Sequence, residues 1–248
     1  MIGSIAIREA IAHVESLRLA CQQSVELHKA TGVIKGLQSR RFAGTYEDLL
    51  ISTEYGSAAQ FFLTELYSNK DYSRRDAQFA RIAGALQRLF PRQVVGTAVA
   101  LAELHALTEA LDHEMALEWI KLSANIPHDA TCYLATWKSV ARADDRAQQL
   151  RLVLKIGKDL DILTRTSGLR LMLKMMRRPA VATGLGDLQT FLELGFDTFA
   201  NLSGKGECAH TFLQTIQCRE TELMALLFSE NDSSAIGILT ETFERNRK

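Results

Sequence analysis

The chain predicts an all-α protein, a compact multi-helix bundle of nine or ten helices that are mostly antiparallel neighbours. Three observations carry that expectation. Apolar residues recur at helical spacing with few breaks from Ser4 to Arg245, only three prolines interrupt 248 residues, and no run alternates as a strand would. With 47% hydrophobic and 23% charged residues, the chain can bury a sizeable core. Residues 1–248 read as one helical domain, and 125–143 is where two lobes would divide.

The first helix starts near Ser4, an N-cap residue, and carries Ile7, Ala10, Ile11, Val14, Leu17, Cys21 and Val25 on one stripe. Gly32, Gly36 and Gly44 then punctuate a connection containing Arg40 and Arg41. Thr45 followed by Asp48 reads as a capping box that restarts a helix through Leu50. The helix near Gly56 to Tyr67 holds the aromatic concentration, with Tyr55, Phe61, Phe62 and Tyr67 followed by Tyr72 and Phe79. Ser73 with Asp76 opens another helix, which stops near Phe90 because Pro91 disfavours helical geometry in the residue before it.

A long helix from about Arg92 to Ala124 ends at Asn125, Ile126 and Pro127, and Pro127 suits the first turn of its successor. The Asp144–Asp145 pair starts a helix bearing Leu150, Val153, Leu154, Leu160 and Leu163. A short helix follows Ser167 and is interrupted by Pro179. Beyond Gly184 and Gly186 comes a helix with Leu188, Phe191, Leu192, Leu194, Phe196 and Phe199. The segment NLSGKGE at 201–207 separates it from a helix spanning Cys208 to Phe228, and the last helix begins around Ser233 or Ser234.

Composition excludes several classes. The N-terminal residues lack the basic and apolar regions of a secretory signal, and no run approaches the ~18 uninterrupted apolar residues that span a bilayer, so the expected location is cytoplasmic with no transmembrane segment. Cys21, Cys132, Cys208 and Cys218 are scattered without metal or disulfide spacing and read as reduced thiols. Net charge is zero, yet residues 138–184 carry 11 bases against 4 acids while residues 185–248 carry 5 against 10. Such asymmetry suits internal docking, head-to-tail assembly or an anionic partner for the middle segment.

The runs FFLTELYSNKDYSRRDAQFARI at 61–82, MMRRPAVATGLGDLQTFLELGFDTF at 175–199 and CRETELMALLF at 218–228 resemble an uncharacterised bacterial family of all-helical proteins, seen mostly in proteobacteria. The resemblance covers most of the chain. It implies a single helical unit in a bacterial cytosol and carries no activity to transfer.

Three polar constellations remain. His105, Glu109, Asp112 and His113 share one flank of the long helix, away from the Leu104, Leu107, Leu111 and Met115 stripe. Metal ligation needs converging donors, and the Glu-x-x-His spacing of di-iron bundles is missing, so the flank reads as solvated. In GLRLMLKMMRRP at 168–179, Arg170, Lys174, Arg177 and Arg178 gather on one side with leucines and methionines opposite. That pattern serves a core helix or an adaptable interaction face for a membrane surface, a nucleic-acid backbone or an acidic partner, with no sign of sequence-specific nucleic-acid recognition. In the turn at 68–76, Asp71, Arg74, Arg75 and Asp76, close to Glu65 and Arg81, form either a salt-bridged corner or the rim of an aromatic-lined pocket with Tyr67 and Tyr72.

SGKGE lacks P-loop spacing, GLG at 184–186 lacks a third glycine, and Cys208, His210 and Cys218 match no metal spacing. No cofactor is predicted. Without a catalytic motif, the sequence points to a non-catalytic helical binding or adaptor protein that contacts a protein partner or itself. The alternative is a helical small-molecule binder or enzyme with its pocket between helices, by analogy of fold with heme-oxygenase-like or ferritin-like bundles. A closed concavity distinguishes the second from the first.

Overall fold

The computed structural model describes residues 2–65, 70–126, 128–204 and 206–245. Along them run α1 (Ile2–Gln23), α2 (Val25–Thr45), α3 (Glu47–Leu50), α4 (Gly56–Glu65), α5 (Ser73–Leu89), α6 (Arg92–Ser123) and α7 (Asp129–Val140). The second half comprises α8 (Ala143–Arg165), α9 (Leu169–Met175), α10 (Arg177–Ala182), α11 (Gly186–Ser203), α12 (Cys208–Phe228) and α13 (Asp232–Glu244). No strand occurs among the described residues. Tyr67 and Pro127 lie outside them.

Among the described residues thirteen helices replace the nine or ten expected, because local chemistry breaks the chain where periodicity alone does not. Ser24 is extended, and its side-chain oxygen accepts the Leu27 N–H at 3.2 Å, so it ends the expected first helix and caps α2. Val25 is thereby moved from the apolar stripe to an exposed first turn. Pro179 does not interrupt a helix. It occupies the first turn of α10, where its missing N–H has no helical partner to lose, and the break falls at Met176.

The segment expected to be a connection is α2, with Ile34, Leu37 and Phe42 fully buried along it. Gly44 serves packing there: a Cβ at this position would lie 2.8 Å from the Cα of Thr242 on α13, so only glycine lets the two backbones approach. Neither expected capping box forms. Tyr46 takes the cap position of α3 with no side-chain bond, and both Asp48 oxygens receive Arg219 at 2.7 Å. At α5 the Ser73 N–H is bonded by Asp71, while Asp76 turns inward. Asn231, rather than a serine, caps the last helix by accepting the Ser234 N–H at 3.2 Å.

The expected stop at Phe90 occurs, with that residue extended ahead of Pro91. By length and composition α6 is apolar enough to cross a membrane; here it is the axis of the bundle, with α1, α2, α7 and α8 packed on it. Its N-terminal half, through Ala100 and Leu104, enters a core built with Phe62, Phe79, Phe199 and Phe212. Its C-terminal half, through Met115 and Trp119, enters a second core with Leu37, Tyr133, Leu239 and Phe243.

Candidate functional site

Along one edge of α6 the polar flank read as solvated is turned inward. Asp112 is 4% exposed and accepts the Gln38 amide at 2.5 Å, Glu109 pairs with Lys35 at 2.6 Å, and His105 Nε2 meets Asp76 Oδ2 at 3.0 Å. Arg18 reaches the same Asp76 oxygen at 2.8 Å. The structure thus joins two sets of residues that the sequence kept apart, because α1, α2 and α5 all face this edge of α6. Arg75 completes the seam. Its guanidinium lies 3.9 Å from the Tyr72 ring centroid and 4.3 Å from that of Phe191, and it pairs with Glu65 at 3.3 Å.

Burial sets the proton affinities here. Burial is the largest influence on Asp112 and, reinforced by the Glu109 charge, pushes its carboxyl up to about 6 against the pull of Lys35 and Arg146. For Asp76 burial acts the same way but loses to the hydrogen bonds from His105 and Arg18, so its carboxyl is held below the usual range. Burial likewise opposes the Lys35 charge, and Glu109 with Asp112 outweighs it, holding the ammonium above its ordinary value. The seam encloses a pocket of about 60 Å³, room for little more than water.

The other sequence-chosen residues disperse. His113 faces the Cys21 thiol at 3.7 Å, and no group of three or more His, Cys, Asp or Glu that could hold a metal occurs among the described residues. Arg74 is 84% exposed at its side chain and meets Asp187 at 3.3 Å. Arg81 donates to the carbonyls of Thr183 and Gly184, so the charges of the 68–76 turn and its neighbours join several separate contacts instead of one network. On α9 and α10, Arg170 pairs with Asp197 and Arg177 with Glu193, whereas Lys174 and Arg178 form no ion pair among the described residues. Sequence reasoning missed Lys35, Gln38 and Arg18, although the helical spacing of Ile34, Leu37 and Arg41 marks the segment that carries the first two.

Behind the seam lies a larger space that sequence reasoning missed altogether. A cavity of about 380 Å³ opens between α5, α6, α8, α9, α10 and α11, within the ~300–1,000 Å³ range of small-molecule sites. Its walls are carbon, from residues such as Phe90, Ala98, Ile156, Leu160, Met172 and Phe196. Among the described residues three polar side chains line the wall and each has a partner: Thr97 donates to the Gln93 carbonyl and Asp159, Thr183 to the carbonyls of Pro179 and Ala180, and the Gln189 amide N–H to the Leu173 carbonyl and Glu193. Phe79, Leu101, Leu104, Val153, Leu188 and Phe191 line both spaces, dividing polar from apolar.

The space is partly open to solvent, so its carbon walls stand against water, and apolar surface in that position is favourably covered by other apolar surface.

Fold and cavity together define a protein that is all-helical among the described residues, with a carbon-lined chamber between its helices. The chain belongs to the family described as Domain of unknown function (DUF8198), whose model matches residues 18–234. No curated protein and no solved structure matches it.

Proposed function

We propose that this chain is a helical binding protein that holds an apolar small molecule in the chamber between α5, α6, α8, α9, α10 and α11. The carbon-lined volume of about 380 Å³ carries the reading. The polar seam favours it too, since Lys35, Arg75, Asp76 and Asp112 already have internal partners and little room beside them. The ligand contacted by this wall is hydrocarbon or aromatic, because each polar side chain among the described lining residues already has an internal partner.

The test has two arms. Protein purified without added ligand is denatured, extracted into organic solvent and examined by mass spectrometry. The delipidated, refolded chain is then titrated with N-phenyl-1-naphthylamine, a neutral apolar fluorophore. The expected result is an apolar compound in the extract or saturable dye uptake at one molecule per chain. A folded chain that releases no apolar compound and takes up no dye overturns the reading.

A further inference from the structure

From Ile162 to Gly186 the sequence holds five bases, Arg165, Arg170, Lys174, Arg177 and Arg178, and no acid. The same stretch carries five of the fifteen large apolar side chains exposed among the described residues: Ile162, Leu171, Met175, Met176 and Val181. Leu171 is 62% exposed, and Met175 and Val181 are each 63% exposed. No residue of α9 is buried, and Ala180 is the one buried residue of α10. The segment forms a flap over the chamber, with Met172, Leu173 and Met176 lining it and Leu171, Met175 and Val181 turned to the outside.

Both ends of the flap are set by glycine. Gly168 has φ +80° and Gly184 φ +70°, conformations that other residues rarely adopt. Arg81 holds the far end through the carbonyls of Thr183 and Gly184. Asp161 pairs with Arg165, and carboxylates of α11 pair with Arg170 and Arg177, which leaves Lys174 and Arg178 beside the exposed apolar side chains. Exposed apolar side chains interspersed with unpaired cations suit an anionic lipid surface, where apolar burial and charge attraction add.

We propose that α9 and α10 dock the protein on anionic membranes and that the chamber is loaded through this face. The inference rests on the chamber reading and names the source of its ligand, a lipid bilayer. Charge complementarity selects this occupant over a second copy of the chain: Lys174 and Arg178, which have no ion pair among the described residues and stand beside exposed apolar side chains, match a bilayer rich in acidic headgroups without needing a shaped counterpart.

The test is flotation with phosphatidylcholine vesicles, either pure or with a third of the lipid replaced by phosphatidylglycerol, alongside dye titration of the same protein. The wild type is expected to float with the anionic vesicles, less so at high salt, and not with the neutral ones. Lys174→Glu with Arg178→Glu, and separately Leu171→Glu with Met175→Glu, are expected to lower that binding roughly tenfold or more while dye uptake persists. A control, Lys29→Glu with Ile51→Glu on other exposed positions, is expected to float as wild type does.

Absence of flotation with dye uptake intact overturns the docking and leaves the chamber reading standing. Flotation that the flap variants do not weaken also overturns it. So does a monomer–dimer equilibrium in sedimentation that the flap variants abolish without affecting flotation, which assigns the patch to self-association. Loss of dye uptake in the wild type removes the chamber reading and this inference with it.

Discussion

Around the C-terminal half of α6 the packing is closed, and α2 meets α13 so tightly that Gly44 has no room for a methyl group against Thr242. Around the N-terminal half, α5, α8 and α11 stand far enough apart to leave about 380 Å³ lined by carbon. One helix with one apolar character therefore supports both a filled core and a hollow one. The difference comes from what faces it. The second core is packed by α2, α6, α7, α12 and α13, whereas beside the first the short, weakly buried α9 and α10 form part of the cavity wall.

The largest effect is expected where the closed core is overfilled. Gly44→Ala forces main chain against main chain, and neither α2 nor α13 can yield by rotating a side chain, so a loss of roughly 3 kcal/mol is expected in urea unfolding. Unchanged stability would show that α13 is free to shift.

Next comes the seam between the cores. The Asp112 carboxyl at about 6 in the folded chain lies above its unfolded value of ~3.9, so the folded state binds this proton more tightly. Its contribution to stability is fully present below pH ~4 and is lost as pH rises through about 6, on the order of 3 kcal/mol across that window. Asp112→Asn retains an acceptor for Gln38 and is expected to be more stable than wild type at pH 8, with the advantage vanishing near pH 4. A constant difference between the two proteins at every pH would refute the assignment. Asp76 carries the opposite sign, since its lowered carboxyl adds stability above the unfolded pKa that is lost as pH falls through the folded value. Comparing the two proteins cancels that contribution.

The smallest effect on stability is expected where the hollow core is filled. Ala98 on α6 lines the chamber, so Ala98→Phe puts a ring into free volume and is expected to change stability by no more than about 1 kcal/mol, where an ordinary overpacked core loses ~1–3. Dye uptake is expected to fall sharply in the same variant. A strongly destabilised Ala98→Phe protein would mean that the chamber walls are closed in solution, and full dye uptake would place the dye elsewhere.

Much of the fold is legible in the chain, because helical periodicity, the Phe90–Pro91 stop and the Asp144–Asp145 start are local signals with local causes. The boundaries that escaped are those where two local signals compete. Ser24 ends an apolar stripe that Val25 would otherwise continue, and the glycines of α2 suggest a turn until Thr242 gives one of them a packing role. Of the site, the flank of α6 was readable as one polar face, and Tyr72, Arg75 and Asp76 as one turn. Their meeting was not readable, since it depends on α1, α2 and α5 crossing α6 at the same height.

The sequence by itself determined that the chain is helical, that α6 is its longest apolar element, and that residues 162–186 carry positive charge without acids. These follow from side-chain order along one dimension. Tertiary structure alone decided that His105, Glu109 and Asp112 face inward, that Gly44 touches Thr242, and that a chamber lies beneath α9 and α10. Burial and empty volume are properties of the distances between helices, and those distances are set by side chains tens of residues apart.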